Sequence, residues 1–496
     1  MAFAFAPLIA VSKQTSEHNL TIIFSGNMNE ISSDKKSAYP QLSYLLKKHR
    51  NKPTPVFFFF GGGSIGPSML ATFDRGSHIV DLLNQVEPDV MATTKRDFSF
   101  LEDELSLRAY EAAFPIVATN LIDVETNNVL DGLSTSVITR QGDYSIGVLS
   151  TLSERAIQEY NLTQVRVLDK AEAVKKHASL LRQQGVDLVA LINTGIKNDV
   201  IQLLEDNIVD LILQKDSNVD VRKDQYKPNH SNYIFVSSQD EFAVVNVRWQ
   251  EQDVQNLNVS TEYIRYQQLF KDAEMQQVVE QYESRLDNLL DEVIGNTQTS
   301  FRTQRNLVRR KENEFGNLLT DALKQYAKAD IAIINGGTIR GERNYIRSQQ
   351  ITRRDVISEL PYRSNIELLE LSGDVLQQTI EHGLSGIDSL LGRFLQVSGI
   401  KFTYNSQKPP GQRLLSLTHN GQPVTANKVY KVATSEYLAG GGDDFTMLLS
   451  APRLDFKGQK NILVSDVLVN HIRTANTIAP ALDRRIIDIS KSNLSK

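Results

Sequence analysis

The chain has 496 residues, of which 41% are hydrophobic and 23% charged, and it is long enough to form two globular domains. Its formal net charge of −5, from 54 basic and 59 acidic residues, argues against a general electrostatic attraction to nucleic acid. Because it contains no cysteine, disulfides, iron–sulfur clusters and thiol nucleophiles are excluded.

Residues 1–19 are interpreted as an amino-terminal extension or weak signal segment. The stretch MAFAFAPLIAVSK contains a short apolar run, but it lacks the basic flank that precedes the apolar core of most secretory signals. A first strand is the other interpretation of this run. No stretch of the chain approaches the roughly 20 consecutive apolar residues of a membrane-spanning helix, so no transmembrane segment is predicted.

Residues 20–266 alternate short apolar runs with amphipathic segments. The runs are typical of buried strands, and most of them end in small or polar residues. They are LTIIFSG, PVFFFFGGG, DVMATT, FPIVATNL, YSIGVLST, VDLVALINTG, VDLILQ and NYIFVSSQ. Strands that alternate with helices predict an α/β layered domain whose functional loops follow the carboxyl ends of the strands.

Residues 267–293 are predicted to form a single connector helix. Apolar residues recur there every three or four positions among polar ones, and Gly295 is the predicted stop. Residues 294–496 then form a second α/β unit. Its predicted helices lie in GNLLTDALKQYAK and GDVLQQTIEHGLS, and its predicted strands in ADIAIINGG, NIELLELS, GIKFTYN, LLSLTHNGQPV and KVYKVATSEYL.

Three stretches of the second unit combine glycine or proline turns with polar and aromatic residues. AIINGGTIRGE contains Asn335, Gly337 and Arg340, ATSEYLAGGGDDF contains Tyr437 and Asp443, and ELPYRSN contains Tyr362. Glycines allow close backbone approach, an arginine can hold a phosphate, and two tyrosines can enclose a planar base. Each residue taken singly is better explained by a turn or by packing. Together they predict a site for a nucleotide or nucleoside.

These stretches also carry a family resemblance. The segments NGGTIRGERNYIRSQQITRRDVISELPYRSNIELLELSGDVL, GRFLQVSGIKFTY and YKVATSEYLAGGGDDF resemble the carboxyl-terminal domain of the 5'-nucleotidases, a family that includes UDP-sugar hydrolases and 2',3'-cyclic-nucleotide phosphodiesterases. The resemblance implies that the base stacks between Tyr362 and Tyr437, where phenylalanine is common in the family. It also implies a set of phosphate- and ribose-facing residues, namely Arg309, Asn335, Arg340 and Asp443.

For residues 20–266 the resemblance implies a four-layer α/β/β/α metallophosphoesterase domain with two metal ions. Two divalent ions need carboxylate and imidazole ligands, but none of the eight histidines lies where the family uses one. The family's metal-site positions are occupied here by Asn27, Asn29, Gly63, Lys95, Arg96, Asn193, Asp216 and Asn218. We therefore predict a degenerate centre with no metal cofactor. Lys95 and Arg96 are either remnants of decay or a substitute for the metal charges that holds a phosphate.

The sequence thus predicts a catalytically degenerate relative of the 5'-nucleotidases that binds a nucleotide or nucleoside in a sensing or regulatory role. One alternative is an active phosphohydrolase that uses a single metal at Asp97 and Asp216, or no metal. Another is an interaction protein with a vestigial pocket and an unidentified protein partner. The resemblance implies the periplasm or cell envelope as the compartment, with the cytoplasm as the alternative.

Overall fold

The structure is a computed structural model that describes residues 17–31, 38–160, 162–194, 200–215, 230–236, 240–250, 253–455 and 462–491. The chain divides into two compact units, which meet in sequence at Arg285 and Leu286. This boundary lies within the predicted connector helix. None of the helices in the described residues has the length and hydrophobicity needed to cross a membrane.

The first unit contains strands β1 to β13 and helices α1 to α7, and helix α8 crosses the boundary between the two units. The strands are Glu17–Ser25, Val56–Phe60, Val90–Ala92, Ile116–Val117, Leu121–Asp123, Val137–Gln141, Tyr144–Thr151, Val165–Val167, Leu188–Asn193, Leu211–Lys215, Tyr233–Val236, Glu241–Gln250 and Asp253–Arg265. The helices are Tyr39–Arg50, Ala71–Asp74, Ser77–Val86, Leu101–Glu111, Arg155–Tyr160, Lys170–Gln183, Ile201–Glu205 and Ala273–Leu290. All eight strands predicted for this unit are present.

Two sheets form the centre of the first unit. One has the order β13-β12-β1-β2-β3-β4 and the other β11-β10-β9-β7-β6, and apolar residues of both sheets share one core. In the run VFFFF, Phe57 and Phe59 belong to this shared core, whereas Phe58 and Phe60 are buried on the opposite face. Burial on both faces explains why the strand is continuously apolar.

Helices cover the outer faces of the two sheets. Side chains of α6 and α7 form a core with the second sheet, and α1 packs on β2 of the first. The order of layers is therefore helix, sheet, sheet, helix, so the predicted four-layer α/β/β/α architecture is confirmed. The structure adds the long antiparallel hairpin of β12 and β13, which the sequence pattern did not predict.

The second unit contains strands β14 to β27 and helices α9 to α14. The strands are Val293–Thr297, Phe301–Arg302, Ile331–Asn335, Asn344–Tyr345, Gln350–Thr352, Ile366–Ser372, Leu395–Ser398, Ile400–Tyr404, Leu414–His419, Gln422–Pro423, Val429–Ser435, Arg453–Leu454, Thr477–Ile478 and Ile486–Asp488. The helices are Arg305–Val308, Glu314–Ala327, Arg353–Glu359, Gly373–Leu384, Glu436–Ala439 and Val464–Ala475.

A sheet with the order β20-β16-β24-β19-β25 is the centre of this unit. Helices α10 and α14 share a core with one of its faces, and α12 and the sheet β23-β22-β21-β27 share a core with the other. Burial on both faces again matches the apolar runs ADIAIIN and KVATS. The second unit is thus a layered α/β structure, as predicted.

The connector helix is shorter than the sequence pattern suggested. Helix α8 covers Ala273–Leu290, and Val293 already begins β14. Gly295 therefore does not stop the helix but lies within β14, which pairs with β18 and β26. A Cβ atom at Gly295 would lie 2.9 Å from the carbonyl oxygen of Asn476, so the glycine allows a close approach of backbones.

Candidate functional site

The topology of the second unit explains why residues far apart in sequence form one site. Asn335 is the last residue of β16, and Tyr437 lies in the short helix α13 that directly follows β24. Strands β16 and β24 are parallel neighbours, so their carboxyl ends meet at the same edge of the sheet. The predicted residues of both stretches are brought together at this edge.

A chain of hydrogen bonds connects the polar residues at this edge. Thr338 Oγ1 donates to Asn335 Oδ1 at 2.6 Å, and Asn335 Nδ2 donates to Asp443 Oδ2 at 2.8 Å. The other carboxylate oxygen of Asp443 accepts from the Tyr437 hydroxyl at 3.0 Å. Asn335, Tyr437 and Asp443 therefore form one hydrogen-bonded group, although Asn335 was predicted from a different stretch than the other two.

Glycines allow the backbones to approach closely beside this group. The Gly337 N–H donates to the carbonyl oxygen of Gly392 at 2.8 Å. A Cβ atom at Gly392 would lie 2.8 Å from Asp443 Oδ2, and one at Gly337 would lie 2.9 Å from Gly392 Cα. Both contacts are too short for a side chain, so Gly337 and Gly392 allow the two backbones to approach each other and Asp443 closely.

Arg309 supplies a buried positive charge next to these residues. Its side chain follows α9, is only 5% exposed, and donates through Nη1 to Leu390 O at 3.1 Å. Its Nε is buried without a partner among the described residues. Burial and the nearby guanidinium groups of Arg305 and Arg340 lower the pKa of Arg309, and the Asp443 carboxylate opposes this effect.

The two predicted stacking residues expose their rings. Tyr362 is 53% exposed and Tyr437 49% exposed. The Arg340 guanidinium carbon lies 5.2 Å from the centre of the Tyr362 ring, and Arg340 Nε donates to Gly337 O at 2.7 Å. A Cβ atom at Gly442 would lie 2.5 Å from the Tyr437 ring, so this ring packs directly on the Gly442 backbone. One face of Tyr437 is thus covered, and the ring is otherwise open to a planar ligand.

Glu359 supports the loop that carries Arg340 and was not predicted from the sequence. Its carboxylate is fully buried and accepts from Thr303 Oγ1 and Tyr345 OH, each at 2.9 Å, and from Gly341 N at 3.0 Å. Burial raises the pKa of Glu359, and these hydrogen bonds act in the opposite direction. No local pattern marks this residue, because its partners come from two other parts of the chain, around residue 303 and at residues 341–345.

In the first unit, Asn27 and Gly63 lie against each other. Asn27 follows β1 with a φ of 56°, and Gly63 follows β2 with a φ of 75°. A Cβ atom at Gly63 would lie 2.1 Å from Asn27 Oδ1, and this oxygen is buried without a hydrogen-bond partner among the described residues. The space into which a side chain at position 63 would project is therefore filled by Asn27.

The glycine-rich loop after β2 binds a carboxylate of the protein itself. The buried side chain of Asp97 accepts from the N–H groups of Gly63 at 2.8 Å, Ser64 at 3.0 Å, Ile65 at 3.2 Å and Thr94 at 2.8 Å. Burial raises the pKa of Asp97, and the four hydrogen bonds oppose that shift. Three N–H groups of the loop are thus already engaged by an internal anion.

The other predicted positions of the first unit are also engaged or lie apart. Asn29 Nδ2 donates to Pro67 O, and the buried Asn193 bonds to Thr151 Oγ1 at 2.9 Å and to Gln214 Oε1 at 3.1 Å. Lys95 and Arg96 lie half-buried in a single 3₁₀ turn after β3. Asp216 and Asn218 lie outside the described residues. Within the described part of the chain, no three His, Cys, Asp or Glu side chains are grouped as a metal site would require.

Lys215, at the end of β10, is a buried lysine that sequence reasoning missed. Its ammonium donates to Glu241 O at 3.1 Å and to the Tyr266 hydroxyl at 3.0 Å. Burial lowers the pKa of Lys215 to about 7, with Glu241 and Asp240 acting in the opposite direction. A cationic side chain is thus enclosed immediately before the two positions at which the family's final metal ligands would fall.

Comparison with known proteins gives matches over both units. The model of the 5'-nucleotidase, C-terminal domain, matches residues 293–450. A 5'-nucleotidase of Diplobatis ommata is 24% identical, over 90% of this chain and 84% of the relative. A putative 5'-nucleotidase from Staphylococcus aureus in complex with alpha-ketoglutarate has a TM-score of 0.66 at 17% identity, covering 95% of this chain and 99% of that one. A 5'-nucleotidase precursor from Thermus thermophilus has a TM-score of 0.55 at 18% identity with the same coverage.

Proposed function

Because the chain belongs to the 5'-nucleotidase family, we propose that it binds a nucleotide or nucleoside in its second unit and has lost the two-metal hydrolytic centre of its first unit. The proposed role is binding, sensing or regulation rather than turnover. No metal cofactor is part of this proposal.

The single observation that carries the proposal is the hydrogen-bonded group of Asn335, Asp443 and Tyr437 beside the buried Arg309. It combines a stacking ring, a carboxylate that can accept from sugar hydroxyls, and a guanidinium whose Nε has no partner among the described residues. A nucleotide carries a base, a sugar and a phosphate that match these three groups. A vestigial pocket would have no reason to retain all of them in bonding geometry.

The loss of hydrolysis is supported by the side chains that replace the family's metal ligands. Gly63 has no side chain, its neighbour Asn27 fills the adjacent space, and Asn193 is engaged in buried hydrogen bonds. The alternative of a single metal at Asp97 and Asp216 is disfavoured because four N–H groups already bind the Asp97 carboxylate. Since these N–H groups cannot also bind a phosphate held by Lys95 and Arg96, decay is the better explanation of that pair.

The binding proposal is tested by thermal unfolding with a panel of nucleosides and their 5'-monophosphates. A ligand present at a hundred times its Kd stabilises the folded state by about 2.7 kcal/mol, which a melting curve detects readily. We expect Arg309→Met to reduce stabilisation by monophosphates more than by nucleosides. The matched control is Arg310→Met, which changes the next, exposed arginine. If no member of the panel raises the melting temperature, the proposed site is wrong.

The loss of hydrolysis is tested by assaying nucleotides with Mn²⁺, Zn²⁺, Mg²⁺ or Ca²⁺ and by elemental analysis of the purified protein. We expect no metal-dependent turnover, because uncatalysed phosphate hydrolysis is extremely slow without electrophilic help. Turnover that is abolished by Asp97→Ala or Asp216→Ala, in variants shown to be folded by the fluorescence of Trp249, would instead establish the active phosphohydrolase. If both binding and turnover are absent, the interaction protein with an unidentified partner is the remaining candidate.

We further propose the periplasm or cell envelope as the compartment of this protein. The support is its similarity to a relative described as a precursor. Recovery of the protein in the cytoplasmic fraction of its source cells would contradict this assignment.

A further inference from the structure

The hydroxyl of Tyr437 bonds to two groups of a single residue. It accepts from the Asp443 backbone N–H at 3.1 Å and donates to Asp443 Oδ1 at 3.0 Å. A phenylalanine at this position, which the family resemblance makes the common residue, has no atom for either bond. The ring of Tyr437 meanwhile packs on the backbone of Gly442. Tyr437 therefore fixes both the main chain and the carboxylate of Asp443.

The backbone around Asp443 needs such support. Gly441, Asp443 and Asp444 have φ values of 81°, 51° and 66°, and the left-handed region is uncommon for residues other than glycine. Contacts outside the turn hold it as well, because His382 Nε2 lies 2.9 Å from Asp443 O and Arg393 pairs with Asp444 at 2.7 Å. Removing the Tyr437 hydroxyl would leave these anchors in place. The loss would fall on Asp443 alone, whose backbone N–H loses its acceptor and whose carboxylate loses the donor that orients it.

The carboxylate of Asp443 retains acceptor capacity after these bonds are made. Oδ1 accepts from Tyr437 and Oδ2 from Asn335, and each oxygen keeps a further lone pair. Two such acceptors, fixed in one plane, suit a pair of adjacent hydroxyl donors. The cis-diol of a ribose has this arrangement, whereas a 2'-deoxyribose offers only one of the two hydroxyls.

We propose that Tyr437 is a positioning residue, whose hydroxyl orients the Asp443 carboxylate for a ribose cis-diol and thereby selects ribonucleosides or ribonucleotides over their 2'-deoxy counterparts. This inference rests on the proposed nucleotide or nucleoside site, for which the resemblance already implies a ribose-facing Asp443; what it adds is the function of the Tyr437 hydroxyl in fixing that carboxylate. It assigns to the tyrosine a function beyond the stacking surface that a phenylalanine would also offer.

The test compares Tyr437→Phe with Tyr110→Phe by isothermal titration calorimetry of the full chain. Both variants keep the ring and lose a hydroxyl that donates to an aspartate, but Tyr110 bonds to Asp131 at 2.7 Å in the first unit, outside the proposed site, which makes it the matched control. The titrants are a ribonucleoside, its 2'-deoxy counterpart and the free base. Their base is that of the panel member that stabilises the wild type most in the thermal assay. For Tyr437→Phe we expect about a tenfold loss of affinity for the ribonucleoside, as for the loss of well-oriented hydrogen bonds to a charged acceptor.

The outcomes separate this inference from the proposed function. A loss that is confined to the ribonucleoside in Tyr437→Phe and absent in Tyr110→Phe supports it. Equal losses for ribonucleoside, deoxynucleoside and free base would assign the hydroxyl to stacking and overturn the positioning function. So would unchanged affinities in Tyr437→Phe, or a wild type that binds ribose and deoxyribose ligands equally. A wild type that binds none of the titrants overturns the proposed function itself.

Discussion

Replacing the buried Lys215 by methionine should stabilise the first unit at neutral and mildly acidic pH. The ammonium lies in the protein interior with two hydrogen-bond partners and no carboxylate within ion-pair distance among the described residues, and burial lowers its pKa to about 7. An exposed lysine in the unfolded chain titrates near pH 10.4. The unfolded state therefore binds more protons than the folded state between about pH 7 and pH 10.

The sign of the effect follows from this difference in proton binding. The stability of the wild type should rise as the pH increases from about 7 to 10, and the penalty of the buried lysine is fully present below pH 7. A pKa that is lowered from the ordinary lysine value to about 7 corresponds to an upper limit of roughly 5 kcal/mol. Methionine fills a similar volume without a charge, but it leaves the Tyr266 hydroxyl and Glu241 O without this donor, which costs about 1–2 kcal/mol. We expect a net gain of about 2 kcal/mol at pH 6.

Urea unfolding followed by tryptophan fluorescence measures this effect in the correct unit. Trp249 is the only tryptophan of the chain and is buried in β12 of the first unit. The quantity to compare is the difference in unfolding free energy between Lys215→Met and the wild type at pH 6 and at pH 9.5, with the exposed Lys48→Met as the control. The gain should shrink or reverse at pH 9.5. An equal difference at both pH values would refute the reasoning.

Three further predictions concern the loops of the two units. In Gly442→Ala the new methyl group would lie 2.5 Å from the Tyr437 ring and should displace it. We expect the ligand to stabilise this variant no longer in the thermal assay, while its melting temperature without ligand changes little. Retained stabilisation by the ligand would contradict this prediction. Gly63→Asp restores the carboxylate of the family but places it at a φ of 75° against Asn27, so we expect a loss of about 2 kcal/mol in urea unfolding and no bound metal by elemental analysis. Stoichiometric metal in this variant would show that the centre can be rebuilt. Glu359→Ala leaves the Gly341 N–H and the hydroxyls of Thr303 and Tyr345 without their acceptor. We expect calorimetry to show a stability of the second unit lower by about 2–3 kcal/mol, and monophosphate binding to weaken because the Arg340 loop loses support. An unchanged melting profile would rule out the supporting function of Glu359.

Sequence reasoning predicted the architecture well where burial imposes a periodic pattern. The strands of both units appear as short apolar runs because their sheets are covered on both faces, as the alternation of Phe57 to Phe60 illustrates. The ends of the connector helix were less predictable. Val293 continues the apolar spacing of α8 and Gly295 was the predicted helix stop, but both residues belong to β14, because pairing with β18 and β26 decides their conformation.

The candidate site was predictable only as an inventory of residues. Glycine turns, arginines and tyrosines in three stretches indicated Asn335, Arg340, Tyr362, Tyr437 and Asp443, and the structure brings Asn335, Tyr437 and Asp443 into one hydrogen-bonded group. Glu359 and Lys215 were missed, since a glutamate or lysine in a polar stretch has no sequence signature of burial. Their importance comes from partners that lie elsewhere in the chain.

By itself, the sequence determined which chemical groups are present in this protein and in what order they occur. The absence of cysteine, the placement of the eight histidines and the glycine at position 63 are facts of composition and order that no folding can alter. Only the tertiary structure decided how the remaining groups are used. The glycine-rich loop holds Asp97, and Tyr437 holds Asp443, because the folded chain aligns backbone N–H groups and a hydroxyl within about 3 Å of these carboxylates. Sequence order alone cannot impose that alignment.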